Sequence, residues 1–229
     1  MASRLVFLPT ASNQPKLYSE HLIAFEWVPG MAISQGTKSV FNLHLSAKEE
    51  LGVTNLLEIS TRSPVDLGIR LSAFNLPIEI NGTTVPVEVA YQSSKIFENG
   101  GPFGDLLSGS SISAKQDLRL KESGALIGFR FDGVDWPMRP TPNFYDYLYI
   151  RALLNLPRSE FLLNYEAFTD IIYSQSTVER KGKKSFNCQA RSAAIYCSLL
   201  RRIPRSEILD HLQAESQVLD TKNEQLGLF

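Results

Sequence analysis

The chain is 229 residues long, 43% apolar and 21% charged, with a formal net charge of −1. That length can bury one good-sized core, and the composition is that of a folded chain rather than a disordered one. Near-neutrality excludes a protein that coats nucleic acid non-specifically, while leaving room for a local basic patch.

The only two cysteines, Cys188 and Cys197, lie nine residues apart in one expected helix and cannot meet comfortably as a disulfide. With no export signal and no run of 18 apolar residues, they point to a reducing cytoplasm and no membrane. The three histidines, His21, His44 and His211, are too scattered to form a metal set, so neither metal nor cofactor is expected.

To about residue 70 the chain alternates β-type runs with polar turns. Leu5–Leu8, Leu22–Val28 and Val40–Leu45 read as strands or buried extended segments, and Leu56–Ser60 as another. Ser46 and Glu49 have capping-box spacing and predict a short helix or turn. His44, alternating with Leu43 and Leu45, is expected to face solvent or satisfy a backbone group.

Leu71–Phe97 carries the most unusual pattern. Ile78–Ile80 and Thr83–Val85 are short β-type runs joined by Asn81-Gly82, the dipeptide preferred in a type I′ hairpin turn. Pro86 then suits the start of a helix. On that helix Glu88, Tyr91, Gln92 and Lys95 fall within about a third of the circumference, with apolar residues on nearly every other side. The strip is either a solvated charge pattern or the polar lining of a pocket.

Glu98–Leu107 is a glycine-rich bend, and Ala114-Lys115 enter or approach a helix. Ile127–Asp132 reads as a strand, Asp135–Pro137 as a loop, and Asn143–Leu154 as a helix that Asn143 and Asp146 can cap. Ser159–Asp170 suggests a helical turn or two, and Ile171–Tyr173 a strand. Arg180–Lys184 is a basic turn, either solvated or touching a few phosphates. Asn187–Leu200 is a helix with a small-residue side, and an amphipathic helix from Ser206 fades into a polar tail.

No nucleophile elbow, P-loop or dinucleotide-binding glycine fingerprint is present. The chemically active palette is Glu88, Lys95, Lys115 and Asp146 with Trp136 and Tyr145 as aromatic neighbours. Such a set suits cleavage of a glycosidic bond. A carboxylate stabilises oxocarbenium character or activates water, and a desolvated lysine donates a proton or traps an opened sugar as a Schiff base.

Leu71-Ser72-Ala73-Phe74, the Asn-Gly hairpin and Val87-Glu88-Val-Ala-Tyr91-Gln92-Ser-Ser-Lys95 resemble the signature of the NADAR (YbiA-like) family. Ala114-Lys115-Gln-Asp-Leu-Arg119 is similar to that family's Ala-Lys-x-x-Gly-Arg, and Tyr145-Asp146-Tyr-Leu to its Trp-Asp-x-Val. Leu57–Ser60, Tyr91–Pro102 and Phe186–Ala190 look closest to the subgroup associated with DarT-type toxins. Ala73, Val89, Leu118 and Tyr145 replace the family's Asn, His, Gly and Trp.

The resemblance implies an α+β, mainly helical catalytic domain over residues 71–205 with short β-hairpins, a β-rich extension at 1–70 and a C-terminal helix and tail at 206–229. It implies an ADP-ribosyl glycohydrolase that frees guanine bases in DNA and acts as antitoxin to a DNA ADP-ribosyltransferase toxin. Glu88, Lys115 and Asp146 take the catalytic positions. Ser72, Phe74, Tyr91, Gln92, Lys95, Arg119, Trp136 and Tyr145 take the substrate-binding ones. The partners are then ADP-ribosylated DNA or another ADP-ribose-containing ligand, together with the toxin. Other readings are an N-glycosidase for small riboflavin-pathway intermediates, a non-hydrolytic ADP-ribose-binding module, or an antitoxin that inhibits its toxin by contact.

Overall fold

The structure, a computed structural model, describes residues 1–30, 32–138, 143–173 and 187–214. The basic turn Arg180–Lys184 and the polar tail lie outside the described residues. Two compact units partition the chain: Met1–Ser72 with Pro157–Arg205, and Ala73–Leu156 with Ser206–Phe229.

In the first unit, β1 (Ala2–Pro9) pairs antiparallel with β2 (Tyr18–Phe25), from Ala2 opposite Phe25 to Pro9 opposite Tyr18. The other edge of β1 meets β9 (Ala167–Thr169), which runs parallel to β3 (Leu56–Glu58), giving the order β2-β1-β9-β3. The segment expected as a third extended run is instead part of α1 (Ile33–Leu51), and Ser46 lies inside that helix rather than capping it. Val40, Leu43 and Ala47 recur at helical spacing and pack against Val6, Ile23 and Phe25. The alternation over Val40–Leu45 misleads because Phe41 and Leu45, apolar by sequence, stay exposed. Gly52, at φ +69°, closes the helix in the left-handed conformation, its N–H bonded to the Lys48 carbonyl. The N-terminal region is therefore mixed, not β-rich.

A buried polar network holds β3 and β9 together. Glu58 accepts hydrogen bonds from Ser60 Oγ (2.5 Å), Thr169 Oγ1 (2.6 Å) and the Ile171 N–H (2.9 Å). His44 Nε2 lies 2.8 Å from the same Thr169 hydroxyl. That hydroxyl spends its one proton on Glu58, so His44 must donate, which fixes the proton on Nε2. His44 thus satisfies a side chain, not solvent or backbone, and burial holds its imidazole down at about 4. Burial and the neighbouring Glu58 push Asp170 up to about 7. Burial also pushes Glu58 up, against its three hydrogen-bond donors and the Arg4 charge.

A short helix, α2 (Asp66–Arg70), crosses this network at Gly68, where an added Cβ would lie 1.9 Å from the Glu58 carbonyl oxygen. Ser159–Asn164 forms a 3₁₀ turn, and strand structure falls on Ala167–Thr169 rather than on Ile171–Tyr173, where Tyr173 N–H bonds back to Asp170 in a turn. The small-sided C-terminal helix is Gln189–Leu200, buried from Ala190 to Leu199. Cys188 and Cys197 are both buried and form no disulfide.

The second unit begins with the expected hairpin. β4 (Pro77–Ile80) and β5 (Thr83–Pro86) pair across Asn81 (φ +49°) and Gly82 (φ +76°), the two positive angles a type I′ turn demands. Helix α3 (Val87–Ser93) follows, its first N–H groups bonded to the Leu76 and Ala73 carbonyls. It ends four residues before the expected Phe97. The Ser93 and Ser94 hydroxyls both donate to the Ala90 carbonyl, at 3.0 and 2.7 Å, and the chain leaves as strand β6 (Lys95–Phe97).

Strand β6 joins β7 (Leu126–Phe131) and β8 (Val134–Pro137) in an antiparallel sheet. Trp136, expected in a loop, sits in β8 opposite Phe129 because Asp132 and Gly133, both at positive φ, turn the chain back as a second hairpin. Two short helices, α4 (Ser111–Gln116) and α5 (Arg119–Glu122), and the long α6 (Asn143–Asn155) complete the unit. Among the described residues the protein is mixed α and β, with nine strands in three sheets beside the helices, which agrees with the expected α+β class without confirming a mainly helical chain. Among the described residues no helix is long and apolar enough to cross a membrane, and no group of three or more His, Cys, Asp or Glu side chains is placed to hold a metal ion.

Candidate active site

The polar strip of α3 is enclosed. Every residue from Val87 to Ser93 is buried, and Glu88, in the first turn, is 2% exposed. A carboxylate so deeply enclosed needs partners. One turn on, Gln92 Nε2 donates to Glu88 Oε1 at 2.9 Å, and Lys115 Nζ lies 3.5 Å from the same oxygen.

Lys115 comes from the last turn of α4, which is held in place at its other end. Ser110 and Ser113 cap it reciprocally, and Ser111 Oγ donates to the Phe74 carbonyl at 2.9 Å. That bond ties the helix to the segment whose ring lies 4.8 Å beneath the Lys115 ammonium. Unlike its carboxylate partner, Lys115 is half in solvent, with 53% of its side chain exposed.

Lys95 is the third charge. It belongs to β6 rather than to the helix, yet its ammonium lies 4.9 Å over the Tyr91 ring. Burial lowers its pKa to about 8; the like charge of Lys115 adds to this, and Glu88 opposes it. Tyr91 in turn is wedged among Phe129 (5.4 Å), Phe144 (6.3 Å) and the edge of Tyr145 (5.2 Å). The structure therefore brings together Glu88, Gln92, Lys95, Lys115, Phe74 and Tyr91: one buried carboxylate, one desolvated amine, one exposed amine and two aromatic faces.

The remaining candidates stand differently. Asp146 is buried on α6, in the turn that lays Phe144 and Tyr145 against Tyr91. Tyr145 and Trp136 are themselves buried, Trp136 between Phe144 and Tyr147, so both contribute packing rather than an open stacking face. Arg119 is committed to two carboxylates. It bonds Asp117 at 2.9 Å and Asp105 through both terminal nitrogens, at 3.1 and 2.7 Å, above the Phe103 ring. Those hydrogen bonds raise the guanidinium pKa further and would have to be shared or broken for it to grip a phosphate. Ser72 is buried at the end of the first unit.

The sequence reading missed Ser111. The signal was available: Ser110, Ser111 and Ser113 crowd the start of a short helix whose last turn carries Lys115. An open cleft of about 360 Å³ lies elsewhere in this unit, lined by Asn81, Ser93, Ser94, Pro102, Arg130 and Asp132 among others.

The arrangement can move a proton. Glu88 accepts one in a site screened from solvent, and the Lys115 ammonium beside it can supply one or take it back. An enclosed carboxylate can also stabilise positive charge developing on a sugar carbon. The model of one protein family, described as the DarT1-associated NADAR antitoxin, matches residues 2–225. No curated protein matches the chain.

Proposed function

We propose, from the premise that this chain belongs to the DarT1-associated NADAR antitoxin family, that it hydrolyses the N-glycosidic bond between ADP-ribose and a guanine base of DNA. It thereby reverses the modification made by a cognate DNA ADP-ribosyltransferase toxin in the cytoplasm. The observation that carries this reading is the buried Glu88 carboxylate held between Gln92 and the Lys115 ammonium.

As the bond between the ribose anomeric carbon and the guanine nitrogen lengthens, positive charge gathers on the sugar and Glu88 stabilises it. The Lys115 ammonium gives its proton to the departing nitrogen. Water adds to the anomeric carbon and passes a proton to Glu88, which lies close enough to Lys115 to return it. Base and ADP-ribose leave, and both side chains are as they began. Asp146 is assigned to orient the lysine or the water, and Phe74 to flank the substrate.

Incubation with ADP-ribosylated guanine DNA, reading released ADP-ribose, tests the assignment. Glu88→Gln and Lys115→Ala are each expected to lower kcat by about 10²-fold or more. Full activity in both variants would refute it.

A covalent variant of the same reaction draws support from Lys95, a second amine of the site that lies 4.9 Å over the Tyr91 ring and whose burial lowers its pKa to about 8. Borohydride trapping followed by peptide mapping distinguishes the routes, since an adduct on Lys115 or Lys95 requires an imine and general acid–base catalysis leaves none. Turnover of free aminopyrimidine ribose phosphates with none on modified DNA would instead mark a small-molecule N-glycosidase.

A further inference from the structure

Gln92 is half satisfied. Its amide nitrogen donates to Glu88, and because a carboxylate only accepts, chemistry fixes which end of the amide faces it. The other end, Oε1, is enclosed in protein and has no hydrogen-bond partner among the described residues. The side chain as a whole is 5% exposed. A buried acceptor left without a donor is costly and calls for an explanation, a role in the chemistry of the site among them.

The missing partner must be a donor, and because the oxygen is enclosed, the amide must turn or its neighbours part for a substrate group to reach it. On the glycohydrolase reading, which this inference rests on, the group brought beside Glu88 is a ribose joined through its anomeric carbon to guanine. A modified guanine in DNA carries two N-glycosidic bonds: one to the ribose of ADP-ribose and one to its own deoxyribose. The two sugars differ in the hydroxyl next to the anomeric carbon.

We infer that Gln92 Oε1 accepts a hydrogen bond from that 2-hydroxyl, so that one amide both holds Glu88 and selects ribose over deoxyribose. A dry site built to pair with a substrate hydroxyl rejects the analogue lacking it far more strongly than a shape-selective pocket does, because the protein acceptor is then stranded. The enzyme thereby removes the ADP-ribose and spares the bond that keeps guanine in the DNA strand. Gln92 is a specificity and positioning residue; the proton chemistry stays with Glu88 and Lys115.

The test uses the full chain with two substrates, ADP-ribosyl-guanine DNA and its counterpart lacking the 2-hydroxyl on the transferred ribose. Isothermal titration with ADP-ribose and its matching deoxy analogue runs alongside. Wild type is expected to favour the hydroxylated substrate by about 10²-fold or more in kcat/KM. Gln92→Met keeps the length and loses the acceptor, and should bring that ratio below about tenfold while thermal unfolding shows a folded protein. Gln92→Glu keeps an acceptor oxygen and should keep the preference, with kcat lowered by the second carboxylate beside Glu88.

Undiminished discrimination in Gln92→Met, its loss in a folded Gln92→Glu, or equal turnover of both substrates by wild type overturns the inference. If wild type frees nothing from modified DNA yet binds ADP-ribose with a preference that Gln92→Met abolishes, the glycohydrolase reading fails and the hydroxyl contact stands. Absence of both turnover and hydroxyl-dependent binding removes the contact as well.

Discussion

Lys95 shows how one residue can serve the site against the fold. Its ammonium is desolvated, a cost that Glu88 opposes and the like charge of Lys115 adds to, so below pH 8 the folded state holds a charge that the unfolded chain holds more comfortably. Lys95→Met, similar in length and without charge, should stabilise the protein at pH 7 by on the order of 1–2 kcal/mol. Between pH 8 and 10.5 the unfolded chain binds more protons than the folded one, so wild type gains stability as pH rises and the advantage of the variant shrinks. Urea midpoints across that range check it, and a variant less stable than wild type at pH 7 would refute it. Activity on ADP-ribosylated DNA should fall in the same variant, since the cost is retained where the chemistry uses it.

At this scale motif order carries proximity. Glu88 and Lys115 are 27 positions apart in sequence, and only motif order links them before folding brings them to 3.5 Å. Lys95 was chosen on helical geometry it does not adopt, yet the strand returns its amine to the ring of Tyr91. The free oxygen of Gln92 was not legible at all, because satisfaction of a polar atom is a property of packing.

The elements fared less evenly, for a physical reason. Turns were legible because Asn81-Gly82 encodes positive φ locally. The helix over Val40–Leu45 was not, since period-2 and period-3.6 patterns overlap in short apolar runs and the sheet it covers decides between them. The end of α3 turned on two serine hydroxyls crowding one carbonyl, a competition invisible to periodicity.

Element placement also has a measurable consequence at α4. The Ser111 hydroxyl anchors that helix on the Phe74 carbonyl and, among the described residues, makes no hydrogen bond to Glu88 or Lys115. Ser111→Ala should cost about 1 kcal/mol of stability. It should lower kcat several-fold, because Lys115 loses the fixed position of its carrier. Ser111→Thr, which keeps the hydroxyl, should recover most of that loss; failure of the threonine variant to recover any would locate the effect in packing instead.

For the molecule as a whole, two of the buried groups that couple stability to pH pull in opposite directions. His44, held near 4, stays neutral in the folded protein while the unfolded chain takes up a proton below 6.5, so this residue makes stability fall as pH drops from 6.5 to 4. Asp170, held near 7, keeps its proton in the folded protein after the unfolded chain has lost it. It therefore makes stability fall as pH rises from about 4 to 7. Relative to wild type, His44→Gln should improve as pH falls through the first window, and Asp170→Asn should improve as pH rises through the second. Each difference approaches about 1.4 kcal/mol per pH unit within its window. Denaturant midpoints at half-unit steps from pH 4 to 7.5 read both slopes, and slopes of the same sign would contradict the burial on which they rest.

The two buried cysteines turn one face of this architecture into a clock. Both thiols are sealed along the helix Gln189–Leu200, and burial pushes that of Cys197 up to about 12. An alkylating reagent meets them only when the helix lifts away from its surroundings. Labelling at low denaturant therefore times the opening of that helix. Because the helix lies in the unit that lacks Glu88 and Lys115, the same sample reports catalysis and helix opening through separate signals. A variant that is inactive but labels at the wild-type rate has lost chemistry, and one that labels faster has lost its footing.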